Sequence, residues 1–224
     1  MSEIVMITSG KGGVGKTTAT ALLGIQLSRM DKKVVLIDTD FGLRNLDILF
    51  CIENQIRYNI ADVLRGTCCT GQACIPLQHN LWVIPGTKDA SFSATPERFA
   101  EVLTDLSKHY DYIMIDTPAG IGKTHQMILP SVNQGILIMT WDKASISDAI
   151  AMSRLMHTRD IPLKTLLNEQ SPMYRRYFSG QEMIYLCENT LESEFVGCIP
   201  FQKHWVFSDN RKTNRSIQRI CSKL

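Results

Sequence analysis

Ile4-Val5-Met6-Ile7-Thr8-Ser9-Gly10-Lys11-Gly12-Gly13-Val14-Gly15-Lys16-Thr17-Thr18 stands at the head of the chain, and the rest is read outward from it. An apolar run passes directly into a glycine-rich turn. Gly10, Gly15, Lys16 and Thr17 meet the spacing G-x-x-x-x-G-K-[ST] of a phosphate-binding loop. Glycines let the backbone curl so that successive N–H groups point inward, and a helix that follows adds its positive N-terminal end. By this reasoning Gly10, Lys11, Gly12, Gly13, Val14, Gly15, Lys16, Thr17 and Thr18 wrap the phosphates of a nucleotide. Lys16 reaches the β- and γ-phosphates, and the Thr17 hydroxyl ligates Mg²⁺. The alternative is a glycine-rich turn with no ligand; the order strand, loop, helix argues against it.

Short β-rich runs alternate with helical patterns along the chain. Expected strands are 4–8, 34–38, 81–85, 112–116, 135–140, 163–167 and 195–199. Several are continuous apolar runs, as for strands covered on both faces of a parallel sheet. A helix is expected over 16–30, ending before Asp31-Lys32-Lys33. Thr95 caps another with Pro96 at its first position, and Phe99, Val102, Leu103 and Leu106 form its apolar stripe. Ser145 with Asp148 reads as a capping box for a helix running toward Arg159. This alternation predicts an α/β fold, a doubly wound, mostly parallel sheet with helices on both faces.

With 224 residues and 44% hydrophobic content, one domain over 1–224 is expected. The net charge of +2 and pI near 8.1 make no demand for a nucleic-acid partner. Polar first residues leading into a core strand leave no room for a signal peptide, and no apolar stretch nears the ~20 residues that span a bilayer. A cytoplasmic protein is expected. Its cysteines, Cys51, Cys68, Cys69, Cys74, Cys187, Cys198 and Cys221, are odd in number and follow no C-x-x-C spacing. Reduced thiols are the expectation rather than a metal site.

In such a sheet, ligands sit at the carboxyl ends of the strands. One strand ends Leu36-Ile37-Asp38-Thr39-Asp40, with two carboxylates at i and i+2. Another ends Tyr112-Ile113-Met114-Ile115-Asp116-Thr117-Pro118-Ala119-Gly120. Apolar residues closing on Asp116 form a Walker B arrangement, with the carboxylate near Mg²⁺. Gly120 then offers a backbone N–H to the γ-phosphate.

Lys11-Gly12-Gly13-Val14-Gly15-Lys16-Thr17 carries an additional lysine ahead of the standard one. It resembles the deviant Walker A motif of the MinD/ParA class of P-loop ATPases. Asp38-Thr39-Asp40-Phe41-Gly42-Leu43-Arg44-Asn45-Leu46-Asp47 and Asp116-Thr117-Pro118-Ala119-Gly120-Ile121 resemble the MinD branch of that class. The resemblance covers nearly the whole chain and is strongest up to Ile121. It implies ATP and Mg²⁺ as ligands and an ATP-sandwich homodimer in which Lys11 reaches the partner's phosphates. Asp40 would orient the attacking water, Asp38 would support the Mg²⁺ shell with Thr17 and Asp116, and Asn45 would line the dimer side of the nucleotide. For adenine it points to Asn168, then to Pro200. Gln170 stands where a guanine-reading Asp would be.

The chain departs from that pattern in three places. Gly122-Lys123-Thr124-His125 replaces an acidic continuation, and His125 reads as an exposed residue at a helix start. Trp141-Asp142-Lys143 lacks the family's Pro-Glu, although Asp148 falls where an Asp is expected; this surface meets regulatory proteins in the family. The C-terminal segment is short relative to the family. Ile217, Ile220, Cys221 and Leu224 share a helical face there. From Phe201 onward Lys203, Arg211, Lys212, Arg215, Arg219 and Lys223 oppose only Asp209. Two readings stand: a basic amphipathic helix lying on an anionic membrane, or the last core helix with a solvated basic face. Met173-Tyr174-Arg175-Arg176-Tyr177-Phe178 interleaves aromatics with arginines, a pattern compatible with nucleic acid but read more simply as a partner-facing loop. The functional expectation is an ATPase that cycles by hydrolysis in division-site placement. Alternatives are a ParA-type or flagellar-number positioning ATPase, or a nucleotide-binding regulator with little hydrolysis.

Overall fold

A computed structural model describes residues 2–169, 179–201 and 211–224. Its strands are β1 (Glu3–Thr8), β2 (Val34–Asp38), β3 (Ile75–Gln78), β4 (Leu81–Ile84), β5 (Tyr112–Asp116), β6 (Gln134–Met139), β7 (Leu163–Asn168) and β8 (Glu194–Ile199). They form one sheet in the order β3-β4-β2-β5-β1-β6-β7-β8. Among the described residues every pairing is parallel except that of β3 with β4. The helices are α1 (Lys16–Arg29), α2 (Asn45–Phe50), α3 (Ile60–Arg65), α4 (Thr70–Ala73), α5 (Pro96–Leu106), α6 (Lys123–Ile128), α7 (Lys143–His157), α8 (Gly180–Leu186) and α9 (Arg211–Cys221).

Both sheet faces are buried, which explains the unbroken apolar strands. Val5 and Ile7 of β1 pack with Leu23 and Leu27 of α1 and with Ile217 and Ile220 of α9. Met6, pointing to the other face, joins the core formed by Phe99, Leu103 and Leu106 of α5 and by Met152 and Met156 of α7. The stripe expected on α5 is fully used, and the Thr95 hydroxyl accepts the Arg98 N–H at 3.2 Å as its cap. Cys187 and Cys221 pack in the two cores.

All seven expected strands are present, with ends shifted by at most one residue. The eighth, β3, carries no strand signal in the sequence. It is four residues long, contains Pro76 and is irregular between Pro76 and Gln78, features tolerated because it lies at the sheet edge. The cap of α7 is also corrected. Asp142, not Ser145, is the N-cap and accepts the Ser145 N–H at 3.0 Å, while the Ser145 hydroxyl accepts the Thr140 N–H.

Helix α9 settles the two readings of its apolar face. Ile217, Ile220 and Cys221 are buried against α1 and β8, and Lys223 Nζ donates to the Phe195 carbonyl at 3.3 Å. That face is part of the core, as the second reading expects. Arg211, Arg215 and Arg219 point to solvent. No helix among the described residues is long and apolar enough to cross a membrane. The 173–178 segment, Gln170, Lys203 and Asp209 lie outside the described residues.

Candidate nucleotide-binding site

Parallel register brings the chemistry together. Asp38 at the end of β2 is level with Asp116 at the end of β5, and Asp116 is level with Ile7, three residues before Gly10. The loop 10–15 therefore leaves β1 beside both carboxylates and passes into the 14-residue helix α1. Two glycines have packing reasons to be glycine. A Cβ on Gly10 would lie 2.3 Å from the Asp148 carbonyl oxygen of α7. Gly15 sits at φ +89°, and a Cβ there would lie 2.2 Å from Asn168 Nδ2.

Lys16 is only 8% exposed, with Nζ 3.6 Å from Asp116 Oδ1. Thr17 Oγ1 donates to Asp116 Oδ2 at 2.7 Å, and Thr20 Oγ1 donates to Oδ1 at 3.3 Å. Burial pushes the Asp116 carboxyl above the usual carboxylate range, opposed by the Lys16 ammonium and the two threonine bonds. Asp38 is raised to about 7, first by burial and then by the charge of Asp116. Its oxygens accept the backbone N–H groups of Asp40 at 2.9 Å and Leu46 at 3.1 Å. Asp38 thereby shapes the loop leading into α2. Asp40 is raised by burial and held down in part by Lys16, and its Oδ2 accepts Asn45 Nδ2 at 3.0 Å.

Asn168, at the end of β7, donates Nδ2 to the Val14 carbonyl at 2.8 Å. Register pairs Asn168 with Ile199, so the buried Pro200 follows directly beside it. Val14 is buried, whereas Gly12 and Gly13 are exposed and Thr18 is half-buried behind the loop.

Two of the expected site residues have bonds within the chain, and one expectation differs. Lys11 does not lie free: Nζ meets Asp142 Oδ1 of its own chain at 3.1 Å. The Gly120 N–H donates to the Ser9 carbonyl at 3.0 Å and is not open to a phosphate in this conformation. His125 is buried rather than exposed, with Nε2 3.2 Å from Thr8 Oγ1. Burial, and then the nearby Lys16 ammonium, lowers its pKa to about 4. Sequence reasoning missed Thr20, Thr8 and Asp142 as members of this neighbourhood. Thr20 was legible in principle, one helical turn beyond Lys16.

The donor set fits Mg²⁺ and a nucleoside triphosphate. Burial raises the pKa values of Asp38, Asp40 and Asp116, and neighbouring carboxylates raise Asp38 and Asp116 further, with the Lys16 ammonium opposing at Asp40 and Asp116, a concentration of carboxylates that a divalent cation relieves. Thr17 Oγ1 and Asp116 Oδ2, 2.7 Å apart, are hard oxygen donors of the kind Mg²⁺ takes.

A family model described as an AAA domain matches residues 2–161. The septum site-determining protein MinD of Synechocystis sp. is 34% identical over 218 residues, covering 94% of this chain and 80% of that protein. The MinD of Thermotoga maritima is 32% identical over 218 residues, covering 94% and 79%. A chain of the MinC:MinD cell division protein complex from Aquifex aeolicus superposes with TM-score 0.86 at 30% identity, over 99% of this chain and 95% of that one. The MinD complexed with Mg-ADP from Pyrococcus horikoshii, at 23% identity and TM-score 0.84, shares the fold over 100% and 96%. These matches span the phosphate loop and both carboxylate-bearing strand ends, and the chain belongs to the MinD family of P-loop ATPases.

Proposed function

We propose that residues 1–224 form one ATPase domain that dimerises on ATP binding, acts in division-site placement and is reset by hydrolysis. The observation that carries this reading is the convergence of Lys16 Nζ and Thr17 Oγ1 on the Asp116 carboxylate, at 3.6 and 2.7 Å, at the strand ends. The 10–15 loop and the α1 N-terminus cradle the phosphates, and Lys16 Nζ turns from Asp116 to their oxygens. Thr17 and Asp116 hold Mg²⁺, with Asp38 behind them; when bound, the ion neutralises charge on the β- and γ-phosphates. Asp40, oriented by Asn45, positions the attacking water. With Nδ2 committed to the Val14 carbonyl, the Oδ1 of Asn168 would accept from the amino group of adenine and mismatch the carbonyl of guanine.

Lys11 acts across the dimer in this reading, which requires it to leave Asp142. The pair is 42% and 32% exposed at its two side chains, so it is worth at most about 1 kcal/mol. A cation supplied in trans accelerates phosphoryl transfer by about 10³–10⁵. The gain exceeds the cost of release. Support for a second copy on this face comes from Leu43, Ile48 and Ile121, exposed by 65%, 56% and 53% on the segments following β2 and β5. The Aquifex complex with MinC supports a regulatory protein partner. A cytoplasmic protein, peripheral at the membrane, fits this cycle, with any lipid contact made by the exposed basic side of α9 rather than its buried face.

Turnover by the purified chain with ATP–Mg²⁺, compared with Lys16→Ala and Asp40→Ala, tests the assignment. Both substitutions are expected to abolish hydrolysis, and Asp40→Ala to retain ATP-dependent dimers in sedimentation. Normal turnover in either variant would remove that residue's role.

A further inference from the structure

The loop that carries Asp116 into α6 is laced to the root of the phosphate loop at three consecutive residues. Thr117 donates to the Ile7 carbonyl through its N–H at 3.3 Å and its hydroxyl at 2.9 Å. Gly120 donates its N–H to the Ser9 carbonyl at 3.0 Å. Between these, His125 of α6 meets Thr8, Nε2 to Oγ1, at 3.2 Å. This contact joins two side chains and reaches past the loop to the helix behind it.

The imidazole is a costly way to fill that space. His125 is fully buried, and its Nδ1 has no hydrogen-bond partner among the described residues. A leucine would fill the same hole with no orphaned nitrogen. What the ring adds is one directional bond. The tautomer decides which of the two atoms donates, and in either case the bond fixes the direction of the ring toward Thr8 Oγ1. Gly122-Lys123-Thr124-His125 is also where this chain departs from the pattern it otherwise resembles.

We propose that His125 is a positioning residue for ATP hydrolysis: through Thr8 it sets how far α6 and the 117–122 loop stand from the phosphate loop. Gly120 can exchange its bond to Ser9 for a terminal phosphate oxygen only if the loop is held at that spacing. Asp116 is held from the opposite side by Thr17 and Thr20, so the loop has a fixed end at β5 and a tethered end at α6. Loss of the tether leaves nucleotide binding to the 10–18 segment intact but loosens the loop that completes the site around the γ-phosphate. The inference rests on reading this site as an ATPase.

The test uses the full chain with Thr8→Val, His125→Leu, the double variant and His125→Gln. Thr8→Val is isosteric and carries the test should His125→Leu fold poorly. Each single substitution is expected to lower kcat by about tenfold or more, with ADP affinity within about twofold of the unsubstituted chain. The double variant is expected to be no slower than the worse single, because both remove one bond. His125→Gln, which can donate to Thr8, recovers most of the rate. Without nucleotide, amide exchange at Gly120 speeds up in Thr8→Val. Values of kcat within twofold of the parent in both single variants, or losses that multiply in the double, would show that the ring is only core filling. Absence of turnover in the parent chain itself would overturn the ATPase reading and this inference together.

Discussion

Replacing His125 with leucine removes a buried group that titrates in the folded protein far from its ordinary range. The unfolded chain takes up this proton near pH 6.5 and the folded chain near pH 4, a gap of about 2.5 pH units. Between those values the unfolded state binds more protons, so stability falls as pH falls; above 6.5 this group has no effect, and below 4 its loss is complete. The full loss is about 3.4 kcal/mol, of which about 2 kcal/mol develops between pH 8 and pH 5. The physical cause is burial first, then repulsion from Lys16. Asp38 works the other way: its carboxyl, raised to about 7, is protonated first in the folded state and adds stability as pH drops. Raw stability curves therefore mix opposing terms, and the difference between the parent and His125→Leu isolates the histidine. Urea unfolding of both proteins at pH 8, 7, 6 and 5, without Mg²⁺ or nucleotide, gives that difference. The parent should lose about 2 kcal/mol relative to the variant by pH 5, or about 4–8 °C in Tm for a chain of this size. Curves that stay parallel to within about 0.5 kcal/mol would refute the buried, neutral imidazole.

Gly15→Ala places a Cβ 2.2 Å from Asn168 Nδ2 at φ +89°, so ATP and ADP affinity should fall at least about tenfold by fluorescent-nucleotide titration. Unchanged affinity would remove Asn168 from the site. Asp142→Asn keeps an acceptor for the Ser145 N–H but drops the charge facing Lys11. It should tighten ATP-dependent dimerisation by no more than about fivefold per lysine, measured by sedimentation velocity in the Asp40→Ala background. Weaker dimers would mean that the pair helps rather than restrains. Ile217→Asp puts an unpaired carboxylate at a position 2% exposed and should lower unfolding stability by about 3 kcal/mol or more. A Tm equal to the parent's would show that the helix is not core.

Residue order was enough to locate the phosphate loop, the strands ending at Asp38 and Asp116, and the Thr95–Pro96 start of α5. Each leaves a mark within a few residues: a loop curled by its own glycines, a cap bonding three residues ahead, an unbroken apolar run. The expectation at Asn168 came only through resemblance. Other features depend on which surfaces meet once eight strands are laid side by side. The apolar stripe of α9 has the same periodicity on a membrane as in a core, and only α1 and β8 decide between them. His125 follows a glycine and two polar residues, a local context typical of solvent, yet α6 turns it against Thr8, 117 residues earlier. Lys11 finds Asp142 because β1 and β6 are neighbours, although 131 residues separate the pair. Spacing along a chain carries no record of such contacts, because they come from the packing of distant segments rather than from local backbone preference.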